Sequence, residues 1–173
     1  MQVHRYLKAE HVQLGLMHGH LDEIDPEKDE ARERLRLKEE VIGELTDLFV
    51  KTGHIRNRSK FHHDFLSRER KATTAIGHGL AVPHVRSMQP KQLVLVVARS
   101  RDGVEFAAPD GKPVHLLFGL AAPSYDEKAT KDFLLFYQWI GRHFRDSDWL
   151  LEAVLDAKDA HEIVNLLAGL EQS

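Results

Sequence analysis

The residues best suited to chemistry lie between Gly77 and His84, in the stretch Gly-His-Gly-Leu-Ala-Val-Pro-His. Glycine tolerates positive φ and close backbone approach, so a Gly-x-Gly loop can present N–H groups to an anion. Proline restricts the backbone directly before His84. A neutral imidazole held in this way can attack a phosphoryl group and form a phosphoramidate. Because Pro-His pairs are common, these residue types alone make His84 a candidate nucleophile and no more.

The composition limits the other chemistry open to the chain. Its 173 residues include no cysteine, which excludes a disulfide framework, a cysteine zinc site, an iron–sulfur cluster and a thiol nucleophile. With a net charge of −3, the chain lacks the broad positive surface potential that binding to nucleic acid requires. We therefore predict no nucleic-acid partner. No signal sequence or membrane span is evident, and we therefore expect a cytoplasmic protein without direct membrane insertion.

Histidine is frequent, with 12 residues in the chain. The adjacent residues His62 and His63 lie in a predicted helix, where neighbouring side chains point in different directions, so we expect no shared metal ion. His18 and His20 could bind a metal from an extended strand, but no third ligand is evident. We predict no metal site and no cofactor.

Hydrophobic periodicity predicts the elements that would position His84. Apolar residues at helical spacing predict helices over 34–52, 59–70, 127–144, 149–155 and 159–168. Alternating or continuous apolar runs predict strands over 11–17, 93–98 and 114–120. The predicted N-caps are Ser59, the pair Asp146-Ser147 and Asp159. This order predicts one α/β domain over residues 1–173, with a mixed sheet of about five strands between helices on both faces.

The segment from Arg68 to His84 closely resembles the signature of the fructose/mannitol-type (type-2) enzyme IIA domain of the bacterial phosphotransferase system. That family includes the nitrogen-regulatory IIA proteins. Its pattern is Arg-Glu and, after a short spacer, Thr-Gly-Ile-Gly-Asn-Gly-Ile-Ala-Ile-Pro-His, most of which this sequence keeps. The resemblance continues through residues 93–98 and 112–118 and covers nearly the whole chain.

The resemblance implies that His84 accepts a phosphoryl group from an HPr-like phosphocarrier protein. The group would then pass to a downstream IIB component, or the phosphorylation state would signal to a regulatory target protein. Arg68 is implied to hold the phosphoryl oxygens, for which a planar guanidinium is suited. Thr74 and the backbone amides around Gly77 and Gly79 are implied to complete the phosphate site.

The sequence departs from the family pattern at three positions near this site, one of which is Ala75 in place of a glycine. Family members carry a second active-site histidine at the start of the helix after the last strand, and the similarity of residues 139–144 to that helix assigns the position to Leu135. His78 stands where the family has asparagine. We hypothesise that His78 lies in the same pocket and supplies the missing donor, the alternative being a side chain that points to water.

These departures leave three functions open. The first is a phosphoryl carrier that uses His84. The second is a IIA-like regulatory binding module that transfers no phosphoryl group, which the lack of a second histidine favours and the intact Arg68 and Pro-His segment oppose. The third is a metal-dependent hydrolase built on the histidine pairs, which would require tightly bound zinc.

Overall fold

The computed structural model describes residues 2–145 and 147–170, which are organised by one mixed six-stranded sheet. Its strands are β1 (Val12–Gln13), β2 (Ala75–Gly77), β3 (Leu80–Ala81), β4 (His84–Ser87), β5 (Val94–Val104) and β6 (Val114–Pro123). They lie in the order β1-β5-β6-β3-β2, and β4 also pairs with β6. The central pair β5 and β6 is antiparallel, whereas β3 and β4 run parallel to β6.

Helices cover both faces of this sheet in the described part of the chain. They are α1 (Glu30–Lys51), α2 (Arg58–Lys71), α3 (Glu127–Phe144), α4 (Asp148–Asp156) and α5 (Ala160–Gly169). The first two bury their apolar side chains against one face, and the last three against the other. The predicted three-layer α/β fold is therefore confirmed. None of the described helices is both long and apolar enough to cross a bilayer.

Close packing of α1 on the sheet depends on Gly119 in the middle of β6. A Cβ at this position would lie 2.6 Å from Cγ2 of Val96 and 2.9 Å from Cζ of Phe49. The Phe49 ring in turn packs edge-on against Phe61 and Phe65 of α2, with centroids 5.2 and 5.7 Å away. A side chain at residue 119 would push α1 away from β6, the strand with which β4 pairs.

Most predicted elements are present, but several of their ends differ. The structure confirms α3 over 127–144. The first helix begins earlier than predicted because the Asp29 side chain accepts a hydrogen bond from Arg32 N at 2.9 Å and caps it. The second is capped by Asn57 rather than Ser59, through a 2.9 Å bond from Lys60 N.

The ends of the chain show the other differences. The strand predicted over 11–17 is reduced to Val12–Gln13, since residues 9–11 form a 3-10 turn. Ser147 precedes α4 without a capping hydrogen bond from its side chain, and Asp146 lies outside the described residues. Asp159 caps α5 as predicted, accepting a bond from Glu162 N at 2.9 Å.

Arg99 of β5 joins three parts of the fold from a position that is 5% exposed. Its Nη1 donates to the carbonyl oxygens of Val154, Leu155 and Ala157 at 2.8, 2.9 and 2.8 Å. Its Nε donates to the oxygen of Leu14 at 2.8 Å. One guanidinium thus satisfies the carbonyls at the end of α4 and fixes the segment after β1.

Replacing Arg99 with alanine should destabilise the protein severely. Four carbonyls would lose a charged donor, and we expect the free energy of unfolding to fall by about 3 kcal/mol. Urea denaturation followed by circular dichroism measures this. The matched control is Arg101→Ala, whose exposed side chain should contribute less than about 0.5 kcal/mol. Equal losses in the two variants would contradict the assigned role of Arg99.

Candidate functional site

His84 is the first residue of β4, and two groups contact its imidazole nitrogens. Nδ1 lies 2.7 Å from the carbonyl oxygen of Val82. Nε2 lies 3.0 Å from Nη2 of Arg68. Because a carbonyl only accepts and a guanidinium only donates, we assign the proton to Nδ1, and the lone pair of Nε2 accepts the Arg68 N–H. The structure therefore brings together Arg68 and His84, 16 residues apart, in the orientation that a nucleophilic Nε2 requires.

Arg68 reaches the imidazole from the last turn of α2. Its Nη1 donates to the carbonyl oxygen of Ala72 at 3.1 Å, which leaves Nη2 directed at His84. A guanidinium held beside a nucleophilic nitrogen can bind the oxygens of a phosphoryl group as that group arrives. This geometry fits the role that the family resemblance implies for Arg68.

Two aromatic rings of α3 pack edge-on against the His84 ring. The Phe133 centroid lies 5.3 Å away at 70°, and the Tyr137 centroid 5.4 Å away at 89°. These residues are four positions apart and therefore share one helix face. Leu135, which was predicted to occupy the position of the second histidine, is 50% exposed and belongs to another face. The position facing His84 is therefore corrected from Leu135 to Phe133 and Tyr137.

The surroundings of His84 keep its imidazole neutral near pH 7. Burial lowers the pKa of His84 below its usual value of 6.5, the Val82 carbonyl acts in the opposite direction, and the Arg68 charge lowers the pKa further. A neutral ring is the nucleophilic form. Burial and the Arg68 charge therefore favour the neutral ring, and the Val82 carbonyl selects which nitrogen of that ring carries the proton.

The titration of His84 should report these effects directly. We expect its NMR midpoint to lie below 6.5, so that the neutral fraction is lost only as the pH falls through this lowered value. Arg68→Gln should raise the midpoint because it removes a nearby positive charge. Arg70→Gln is the control, since Arg70 pairs instead with Glu39 at 2.7 Å and should leave the midpoint unchanged. A midpoint at or above 6.5 in the wild type would contradict the assignment.

Thr74 is buried near this site with its polar groups already engaged. Its amide donates to Oε1 of Glu69 at 2.8 Å, and its hydroxyl donates to Oε2 at 2.7 Å. Lys38 of α1 completes the cluster, with Nζ 2.8 Å from Oε1 of Glu69. The phosphate-binding role predicted for Thr74 thus stays a prediction, and the structure gives its hydroxyl a different partner.

His78 lies at the tip of the β2–β3 hairpin, where Gly77, His78 and Gly79 all have positive φ. The amide of His78 donates to Oδ2 of Asp110 at 3.0 Å. Gly79 contacts β6 through a 2.7 Å bond from His115 N to its carbonyl oxygen.

The hairpin tip lies at a different point of β6 from His84. Leu80 pairs with Leu116, whereas His84 pairs with Leu120. Four residues of strand correspond to roughly 13 Å. The structure therefore does not bring His78 or its flanking glycines to His84, and the hypothesis that His78 replaces a second imidazole receives no support from its position.

The other histidine pairs are engaged separately. Nδ1 of His62 lies 3.0 Å from Oγ1 of Thr46, inside the α1–α2 interface. Nδ1 of His18 lies 3.2 Å from Oε2 of Glu44. The ring of His20 contacts backbone carbonyls instead, with Nε2 3.0 Å from the oxygen of Leu16. Each ring is therefore used in a local contact of its own.

Comparison with known proteins assigns the chain to a protein family. The family model described as phosphoenolpyruvate-dependent sugar phosphotransferase system, EIIA 2, matches residues 25–169. The chain belongs to this family. The matched residues include α2 and β4, which carry Arg68 and His84, and all five described α-helices. The family resemblance seen in the sequence is therefore confirmed.

Two curated relatives cover most of this IIA chain. It is 31% identical over 131 residues to the fructose-specific EIIA component of Haloferax volcanii, covering 76% of this chain and 82% of that protein. It is 32% identical over 126 residues to a nitrogen regulatory protein of Bradyrhizobium diazoefficiens, covering 72% and 80%. By contrast, its match to the fructose-specific EIIABC component of Bacillus subtilis, 36% over 85 residues, covers 49% of this chain and 13% of that protein.

Solved structures share the fold. The nitrogen regulatory protein IIA-Ntr of Neisseria meningitidis aligns with a TM-score of 0.76 and 25% identity, covering 96% of this chain and 99% of that one. Enzyme IIA of mannitol from Escherichia coli, solved in complex with phosphorylated enzyme IIB, aligns with a TM-score of 0.65 and 22% identity, covering 94% and 97%. Sugar-specific and nitrogen-regulatory IIA proteins are thus both related to this chain.

Proposed function

We propose that this IIA protein is a phosphoryl carrier that accepts a phosphoryl group on Nε2 of His84 from an HPr-like phosphocarrier protein. The group then passes to a IIB component, or the phosphorylated state signals to a regulatory target. One observation carries the proposal: Nε2 of His84, the unprotonated ring nitrogen, lies 3.0 Å from Nη2 of Arg68. The cytoplasmic location and the single domain over residues 1–173 stay predictions.

The residues around His84 account for each part of the transfer. The Nε2 lone pair forms the new N–P bond while the bond between phosphorus and the carrier breaks, its electron pair returning to the carrier. The His84 ring gains positive charge but keeps its Nδ1 proton, which the Val82 carbonyl accepts as a hydrogen bond. Arg68 moves its donors from Nε2 to the phosphoryl oxygens. No proton has to leave the site.

Phosphorylation should require His84 and depend strongly on Arg68. Incubation with phosphoenolpyruvate, enzyme I and an HPr-like carrier should add one phosphate to the wild type and none to His84→Ala, as measured by intact mass. Arg68→Lys should slow the reaction by about tenfold or more because an ammonium lacks the bidentate fork. Arg70→Lys serves as the matched control and should react at the wild-type rate.

The opposite result would support the alternative function. If several carriers add no phosphate to the folded wild type, the chain is a regulatory binding module instead. The packing of Phe133 and Tyr137 on His84 is the observation that favours this alternative, since neither ring supplies an imidazole donor. The contact between Arg68 and His84 favours the carrier.

Restoring an imidazole on α3 should assist the transfer only at the position that faces His84. Phe133→His places a donor beside the His84 ring, and a hydrogen bond to a charged phosphoryl group should speed the reaction by about tenfold. Leu135→His is the matched control, because its exposed position belongs to another helix face. Stopped-flow or quenched-flow phosphorylation measures both rates. An effect of Leu135→His alone would contradict the corrected assignment.

A further inference from the structure

We propose that Glu69 is a positioning residue for this phosphoryl transfer, because its buried carboxylate fixes the backbone groups that orient both nitrogens of His84. The inference rests on the proposed function of His84 and extends it to a residue that does not touch the phosphoryl group. Glu69 follows Arg68 in α2, and its side chain is 3% exposed.

The Glu69 carboxylate is bound by three donors from two different parts of the fold. Oε1 lies 2.8 Å from Nζ of Lys38 on α1 and accepts the Thr74 amide at 2.8 Å. Oε2 accepts the Thr74 hydroxyl at 2.7 Å. These bonds close the segment from residue 69 to residue 74, at the point where α2 ends and the hairpin begins.

One line of hydrogen bonds leads from this carboxylate to Nδ1 of His84. Glu69 holds Thr74, and the Thr74 carbonyl oxygen accepts the amide of Val82 at 2.9 Å. The Val82 carbonyl then accepts Nδ1–H of His84 at 2.7 Å. A displacement of Thr74 would therefore move the acceptor that selects the reactive tautomer.

A second line leads from the same segment to Nε2. The carbonyl of Ala72, which accepts Nη1 of Arg68 at 3.1 Å, lies inside the closed segment. That bond aims Nη2 of Arg68 at His84. Loss of the Glu69–Thr74 bonds would free Ala72 and with it the guanidinium. Both contacts that define the nucleophile therefore depend on one side chain.

Lys38 has the separate task of compensating the buried charge. Its Nζ contacts the carboxylate and lies 4.9 Å from the centroid of the Phe106 ring. A buried ion pair contributes little net stability compared with apolar residues, yet removing one partner leaves the other charge uncompensated. Removing both charges should therefore restore stability without restoring the bond from the Thr74 hydroxyl.

This difference separates positioning from stability. Glu69→Gln keeps the shape of the side chain, but its single carbonyl oxygen cannot replace both carboxylate oxygens as acceptors of the Thr74 amide and the Thr74 hydroxyl. Small misplacements at a reaction centre cost up to about 100-fold, and we expect the maximal phosphorylation rate to fall at least tenfold with little change in the half-saturating carrier concentration. The double variant Lys38→Met/Glu69→Gln should regain thermal stability but remain slow. Thr74→Val should also be slow while keeping the ion pair.

The matched control is Glu39→Gln, which neutralises a carboxylate on α1 that pairs with Arg70 near the surface. It should leave both stability and rate near those of the wild type. Recovery of the rate together with stability in the double variant would overturn the proposal. So would a wild-type rate in Glu69→Gln and Thr74→Val.

A measurement on the unphosphorylated protein keeps this test independent of the proposed function. The ¹⁵N chemical shifts of the His84 ring report how much of the proton resides on Nδ1. Glu69→Gln should shift the proton population toward Nε2, and Glu39→Gln should not. If the wild type accepts no phosphate but Glu69→Gln alters the tautomer, the carrier function fails and the positioning role stands. If the wild type is phosphorylated and the tautomer is unchanged, the positioning role fails alone.

Discussion

The rest of the site depends on two opposed hydrogen bonds to one imidazole. The Val82 carbonyl can only accept and the Arg68 guanidinium can only donate, so a single neutral tautomer satisfies both. This requirement explains why β4 must keep its register on β6 and why α2 must end where it does. Strand β4 positions the imidazole of His84, and helix α2 positions the guanidinium of Arg68. The segment that follows β3 supplies the Val82 carbonyl.

The aromatic face of α3 contributes to the burial of the same imidazole. Phe133 and Tyr137 pack against the half-buried ring, and the burial to which they contribute lowers its pKa and strengthens the electrostatic attraction between Arg68 and an incoming anion. An imidazole at this position would add a donor but would also admit a second titratable charge. The site therefore relies on one arginine beside a partly buried imidazole, where one charged donor has a larger effect than it would in bulk water.

Local sequence patterns predicted the elements better than the contacts between them. The spacing of apolar residues was sufficient for α3, and the Arg68–His84 motif was sufficient for the pair that meets at 3.0 Å. Leu135 was misassigned because the comparison of residues 139–144 with the family helix placed the position two residues after Phe133, and a shift of two residues rotates a helix by about 200°. His78 was misplaced because the partner of the hairpin tip, Asp110, is 32 residues away.

The same reasoning explains why the sequence did not predict a role for Glu69, although this residue belongs to the Arg68–His84 motif. Its buried charge is compensated by Lys38, which is 31 residues earlier on another helix, and no local period links the two residues. Arg99, another buried charged residue, lies away from this cluster. Arg99 pairs with Leu116 at the far end of β6 from Leu120, and it joins α4 to the sheet without contacting the His84 site. A buried arginine thus joins α4 to the sheet, while a buried glutamate of α2 orients the nucleophile through Thr74.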